Sequence, residues 1–229
     1  MITERQREIL NVIIEEYIDS AEPVSSSILA SKYDFGLCSA TIRIEMRNLT
    51  QFGFLEKPYV SSGRIPTDKA YRVFVDAFLN KVKLENGLDD LNHVFKNEIT
   101  EFEIIKRLTN ILASISSGYI ILSLPQKNIL WQAGFSDIIK EPEFSDKNFI
   151  LSFLSFLEEF LERQEEIRLE FETKVFIGVE NSFEAGKDFS VICSENDRFR
   201  LSLIGPKRMN YYKNIQLINS LSKIIEEKI

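Results

Sequence analysis

An α+β chain in two parts is the fold class this sequence predicts, and three observations predict it. Up to residue 83, apolar positions recur at helical spacing, interrupted by one pair of short extended runs. From residue 84 onward, helical stretches mix with β-branched and aromatic runs of strand length. A length of 229 residues suffices for two small cores, and 44% apolar with 28% charged residues and only fifteen Gly plus Pro calls for no long disordered segment.

Thr3 and Gln6 form a capping-box pair ahead of Ile9, Leu10, Ile13, Ile14, Tyr17 and Ile18, so the first helix runs to about Ser20. Glu22-Pro23 breaks it. Ser25 or Ser26 then caps a short helix carrying Ile28, Leu29 and Tyr33, which closes at the Asp34-Phe35-Gly36 turn. Ser39 is expected to cap a third helix from Ala40 to Phe52, with Gly53 left-handed at its end. On this helix Ile42, Met46 and Leu49 share one stripe and must face the first two helices. The opposite face shows Arg43, Ile44, Arg47 and Gln51, flanked by Thr41 and Asn48. These side chains can fork onto base edges or hold phosphates, although Arg, Asn and Gln are equally ordinary on a solvated face.

Phe54 to Val60 and Ile65-Pro66 read as extended runs around a small basic tip, Ser61-Ser62-Gly63-Arg64. Helix, helix, turn, helix and hairpin in this order form the pattern of a winged helix-turn-helix, which is far more specific than any one of its parts. Arg64 beside Gly63 is then expected at the tip, where guanidinium suits the deepened field of a narrow minor groove. An incidental arginine on a plain hairpin is the alternative. Pro66 and Thr67 start a fourth helix whose stripe of Tyr71, Phe74, Val75, Phe78, Leu79 and Val82 can pack on this module, on the second domain or on another subunit.

A linker over 84–90 divides a DNA-binding domain, 1–83, from a second domain, 84–229. The second domain opens with a polar helical region from about Leu91, followed by an apolar helix from Ile104 to Ser116. Strands are expected over Gly118–Pro125, Ile129–Phe135, Lys174–Val179, Phe189–Cys193 and Phe199–Ile204, the last two as a hairpin, with helices over Phe149–Gln164 and Tyr211–Lys228.

The net charge of −7 argues against nucleic acid until its distribution is examined. Residues 41–83 hold eight Lys/Arg against four acids, whereas 84–229 hold 17 against 24, so a local basic footprint exists. Catalysis finds no candidate residues. The single histidine, His93, lies in a polar stretch with no second ligand, Glu158-Glu159 and Glu165-Glu166 read as solvated helix faces, and no phosphate-cradling glycine loop occurs. Cys38 and Cys193 are too far apart in sequence to suggest a framework or metal knuckle; Cys38 reads as a turn residue, with a redox switch as the sharper alternative. Tyr119–Leu124 and Phe149–Leu157 are too short to span a membrane, and no secretory pattern follows Met1, so a cytoplasmic protein is expected.

Ser39-Ala40-Thr41-Ile42-Arg43 with Glu45-Met46, the run Ser62-Gly63-Arg64-Ile65-Pro66-Thr67-Asp68, and Tyr71-Arg72 resemble the recognition helix, wing and following helix of the heat-inducible transcription repressor family HrcA. Glu141-Pro142-Glu143-Phe144, Val175-Phe176-Ile177-Gly178 with Glu180-Asn181, and Ile204-Gly205-Pro206 with Arg208-Met209 resemble its C-terminal GAF-like domain. The resemblance implies a repressor of chaperonin and chaperone genes that binds an inverted-repeat operator in double-stranded DNA as a homodimer. It implies release on heat stress and the chaperonin as modulator, while the residue inventory above leads to the expectation of no enzymatic activity, metal or cofactor. DNA-binding residues on this reading are Ser39, Thr41, Arg43, Ile44, Arg47, Asn48, Ser62, Gly63 and Arg64. The alternatives are a winged-helix regulator controlled by a small-molecule ligand of the second domain and, more distantly, an enzyme with an appended DNA-binding domain. Two departures stand out. Ile44 replaces the family's usual Asn, exchanging an amide contact to adenine for a side chain that suits a thymine methyl. The middle of the chain lacks an inserted segment that the family uses in dimer contacts, since Gly118–Pro125 passes almost directly to Trp131–Phe135.

Overall fold

A computed structural model of the chain describes residues 2–79, 100–164 and 173–228. Its contacts divide the chain into two units, Met1–Phe78 and Leu79–Ile229, and helices and antiparallel strands together make an α+β fold. The expected linker over 84–90, the polar region from Leu91, His93, Val82 and Glu165-Glu166 lie outside the described residues.

In the first unit, α1 (Glu4–Ser20) opens on the expected box: the Gln6 amide donates to Thr3 Oγ1 at 3.2 Å and the Thr3 amide to Gln6 Oε1 at 3.0 Å. Ile9, Leu10, Ile13 and Ile14 are buried. Ser25, not Ser26, caps α2 (Ser26–Lys32), its Oγ accepting from the Ile28 amide. Lys32 and the Tyr33 hydroxyl both reach Glu16, at 2.8 and 2.5 Å, and tie α2 to α1. The cap of α3 (Ser39–Gln51) departs from expectation, because Cys38 holds the cap position without a side-chain bond. Ser39 is already helical, and its hydroxyl donates instead to Ser26 Oγ on α2. A tertiary partner has outbid the local one. Gly53 takes φ +75°, as the helix end requires.

A hairpin follows, β1 (Leu55–Glu56) against β2 (Ile65–Pro66), with Leu55 opposite Pro66. Strands of two residues are too short to stand alone. Val24, in the α1–α2 connection, extends the sheet by exchanging backbone bonds with Arg64 at 2.8 and 2.9 Å. Helix α4 (Asp68–Leu79) then buries Ala70, Tyr71 and Val75.

In the second unit, α5 (Glu101–Ser116) begins three residues before the expected start, because Thr100 and Glu103 form a second capping box. Strands β3 (Tyr119–Leu124), β4 (Ile129–Ala133), β5 (Lys174–Ile177), β6 (Phe189–Glu195) and β7 (Arg200–Pro206) pair in the antiparallel order β4-β3-β7-β6-β5. Strand β4 stops short of Phe135. Gly134 turns to φ +97° against the Gly118 carbonyl, and Phe135 starts the four-residue α6 (Phe135–Ile138). Helix α7 (Lys147–Arg163) lays Phe153, Phe156, Leu157 and Phe160 on the face carrying Tyr119, Ile121, Phe189, Val191 and Ile204. Phe156 stacks on Phe189 at 5.4 Å between ring centroids. Each such buried ring is worth about 1.5–3 kcal/mol of transfer free energy. Helix α8 (Tyr211–Lys228) packs on β6 and β7 and against α5.

The turn after β7 carries Arg208, whose side chain is 9% exposed. Its Nε donates to Glu143 at 2.6 Å, and its terminal nitrogen donates to both Glu143 and Glu141. These carboxylates raise its pKa against the opposing effect of burial, and the pairing holds the Pro142–Ser145 turn to the end of the sheet. Burial pushes the Cys193 thiol up to about 11, which leaves it protonated and inert. Among the described residues no cluster of three His, Cys, Asp or Glu could hold a metal, and no helix is long and apolar enough to cross a membrane.

Candidate nucleic-acid interface

Helix α3 has two faces of opposite chemistry. Ile42, Met46 and Leu49 are buried toward the rest of the unit, while Arg43, Ile44, Arg47 and Gln51 are exposed. Ile44 is 53% exposed. An apolar side chain so exposed, beside Arg47 on the same face, offers a methyl-sized contact. The Arg43 Nε donates to Ser26 Oγ at 3.3 Å, and Arg47 has no partner among the described residues.

The other expected site residues are placed differently. Thr41 sits in the first turn of α3 with its hydroxyl 3.3 Å from Cys38 Sγ. That hydroxyl, followed by the Thr41 and Ala40 amides, holds the Cys38 thiol below its usual pKa. Ser39 is engaged by α2, as described. Asn48 turns away from the exposed arginines: its amide donates to Glu45 at 3.4 Å, and Glu45 in turn accepts from Gln6 of α1 at 2.8 Å. Ser62 closes its own loop, its hydroxyl donating to the Tyr59 carbonyl at 2.7 Å and accepting from the Tyr59 amide. Gly63 is required by packing, since a Cβ there would stand 2.4 Å from the Val24 carbonyl oxygen.

Arg64 is not at the tip of the hairpin. Its backbone lies on the Val24 bridge, and its Nε donates to Thr50 Oγ1 of α3 at 3.1 Å. The tip is instead Tyr59 and Val60, 61% and 89% exposed, with the Lys57 amine donating to the Val60 carbonyl. Sequence reasoning missed this pair because an apolar Tyr-Val reads as strand. The signal available was Pro58, which lacks the amide a continuing strand would use.

Between the hairpin, α3 and the start of α2 lies a cleft of about 370 Å³. Arg43, Lys57 and Arg64 line it together with serines, and no carboxylate does.

Comparison with known proteins bears on the whole chain. The family described as HrcA protein C terminal domain matches residues 64–215. The heat-inducible transcription repressor HrcA of Caldanaerobacter subterraneus subsp. tengcongensis is 41% identical over 128 residues, 56% of this chain, and there the chain spans only 37% of the relative's length. The protein of the same name from Thermodesulfovibrio yellowstonii is 27% identical over 336 aligned positions covering 97% of each chain. Those 336 positions outnumber the 229 residues here, so a sizeable part of that relative has no counterpart. A crystal structure of a hypothetical protein matches with a TM-score of 0.84 at 19% identity, over 99% of this chain and 98% of that one, and shares its fold.

Proposed function

The chain belongs to the HrcA family, and from that premise we propose that it is a transcriptional repressor of heat-shock genes, those of chaperonin and chaperones. It binds an inverted-repeat operator in duplex DNA and releases it on heat stress. Residues 1–83 act as a winged helix-turn-helix domain with its connecting helix, and 84–229 as a GAF-like dimerisation and regulatory domain. The protein works in the cytoplasm without catalysis or cofactor, with the chaperonin as its modulator.

The observation that carries this reading is the exposed face of α3, where Arg43, Ile44 and Arg47 stand over the buried Ile42, Met46 and Leu49. Such a face presents donors and a methyl-bearing group to a major groove. A few base contacts at about 1–3 kcal/mol each fall short of the roughly 4–10 kcal/mol by which specific regulators outbind random DNA. Two modules on an inverted repeat make up the difference, which is the reason for assigning a homodimer. Melting of the second domain on heating would dissolve that dimer and free the operator.

A mobility-shift titration tests this with an inverted-repeat duplex from a chaperonin promoter and a scrambled duplex of equal length. Preferential binding of the inverted repeat, lost on warming, is expected. Equal binding of both duplexes would sink the repressor reading.

A further inference from the structure

Arg64 is expected from sequence to point outward into a minor groove, yet its backbone is fixed on both sides by Val24 and its Nε rests on Thr50. Arg64 lines the cleft between hairpin and α3, with Arg43 and Lys57 also on its walls. Three cations around one cleft of about 370 Å³ repel one another, and none of them meets a carboxylate among the described residues. Such an arrangement is most favourable with an anion between the charges. The hydroxyls of Ser27 and Ser61 on the same walls can donate to its oxygens. The cleft offers no aromatic face for stacking a base.

We propose that this cleft seats one phosphodiester group of the DNA backbone, so that Arg64 and Arg43 anchor the duplex and leave base reading to Arg47 and Ile44. The inference rests on α3 being the DNA-facing element. An anchor so close to the helix fixes how deeply α3 enters the groove, since phosphate contacts set register while base contacts set sequence.

The test is a titration of the full-length protein against the inverted-repeat and scrambled duplexes across a salt series, for wild type, R64Q and the double variant R43Q/K57Q. The double variant alters only exposed residues and leaves Arg64 on Thr50. Both variants are expected to lose affinity by the same factor for the two duplexes. The slope of log affinity against log salt should shrink by about 0.9 for each phosphate seat lost, about twice that for a dimer. Operators carrying a single uncharged methylphosphonate add a second readout: at one phosphate per half-site the wild type loses affinity, and R43Q/K57Q is indifferent there. If R64Q erases the preference for the inverted repeat with an unchanged salt slope, Arg64 reads the groove and the proposal falls. It also falls if no methylphosphonate position separates the double variant from wild type. Wild type binding both duplexes equally, with the slope still reduced in the variants, overturns the repressor reading alone. Binding to neither duplex overturns both.

Discussion

In the second unit, Arg200 and Arg208 are buried and each is matched by acid: Arg200 donates to Glu195 at 2.8 Å, and Arg208 to Glu143 and Glu141. In the first unit, Arg43, Arg47 and Arg64 meet hydroxyls, a carbonyl or nothing, and no carboxylate among the described residues. A guanidinium taken out of water needs a counter-charge from the same chain. One left beside solvent needs none and keeps its attraction for an anion from outside. The company an arginine keeps thus separates cations paired with acid inside the fold from cations with no acidic partner among the described residues, a distinction the net charge of −7 conceals.

Three measurements can break or sharpen that contrast. The largest effect is expected from Arg208→Met, which strands Glu141 and Glu143 beside an apolar side chain. Loss of about 3 kcal/mol is expected, read from the urea midpoint of unfolding monitored in the second unit. A loss below about 1 kcal/mol would mean that the pairing is ornamental. Next, Arg47→Ala should weaken operator binding by about 1–3 kcal/mol while shifting unfolding by no more than about 0.5 kcal/mol. A variant that unfolds early would place Arg47 among the structural cations after all.

The smallest effect probes Glu16, a strongly paired carboxylate joining α1 to α2. Lys32 and then Tyr33 hold Glu16 below its ordinary pKa, and Glu16 raises Tyr33 to about 12. A depressed carboxyl contributes stability above its unfolded value and loses it as pH falls through the folded one; the raised phenol contributes below about 10 and loses it as pH climbs through 12. Tyr33→Phe should therefore cost under about 1 kcal/mol at neutral pH. Its gap from wild type in thermal midpoint should narrow as acid protonates Glu16. A gap that widens in acid would reverse the assignment.

Much of this was legible in the residues, for local reasons. The Thr3–Gln6 box, the inward stripe of Ile42, Met46 and Leu49, and the five strands of the second unit follow from spacing and side-chain type. What escaped was decided by residues distant in sequence. Ser39 is an excellent cap by type, yet Ser26 claims its hydroxyl across thirteen positions. Asn48 lies at the edge of the outward face, yet Glu45 and Gln6 draw it toward α1. Arg64 looks like a tip residue only until Val24 pairs with it. The start of α5 is a different case, since the Thr100–Glu103 capping box that sets it is local and legible in the residues.

The Val24–Arg64 bridge has a practical consequence. Because it pins one side of the hairpin to the joint between α1 and α2, the module has a rigid socket and a replaceable point. Residues Pro58 to Ser61 lie beyond the bridge, so an insertion there lengthens the point and leaves the socket undisturbed. One extra residue between Gly63 and Pro66 would instead slip the pairing by a step, turn every side chain of that strand over, and carry the error into the seating of α2. Grafting the tip of one such protein onto another should therefore respect residues 63–66 as a fixed cassette and exchange only Pro58 to Ser61.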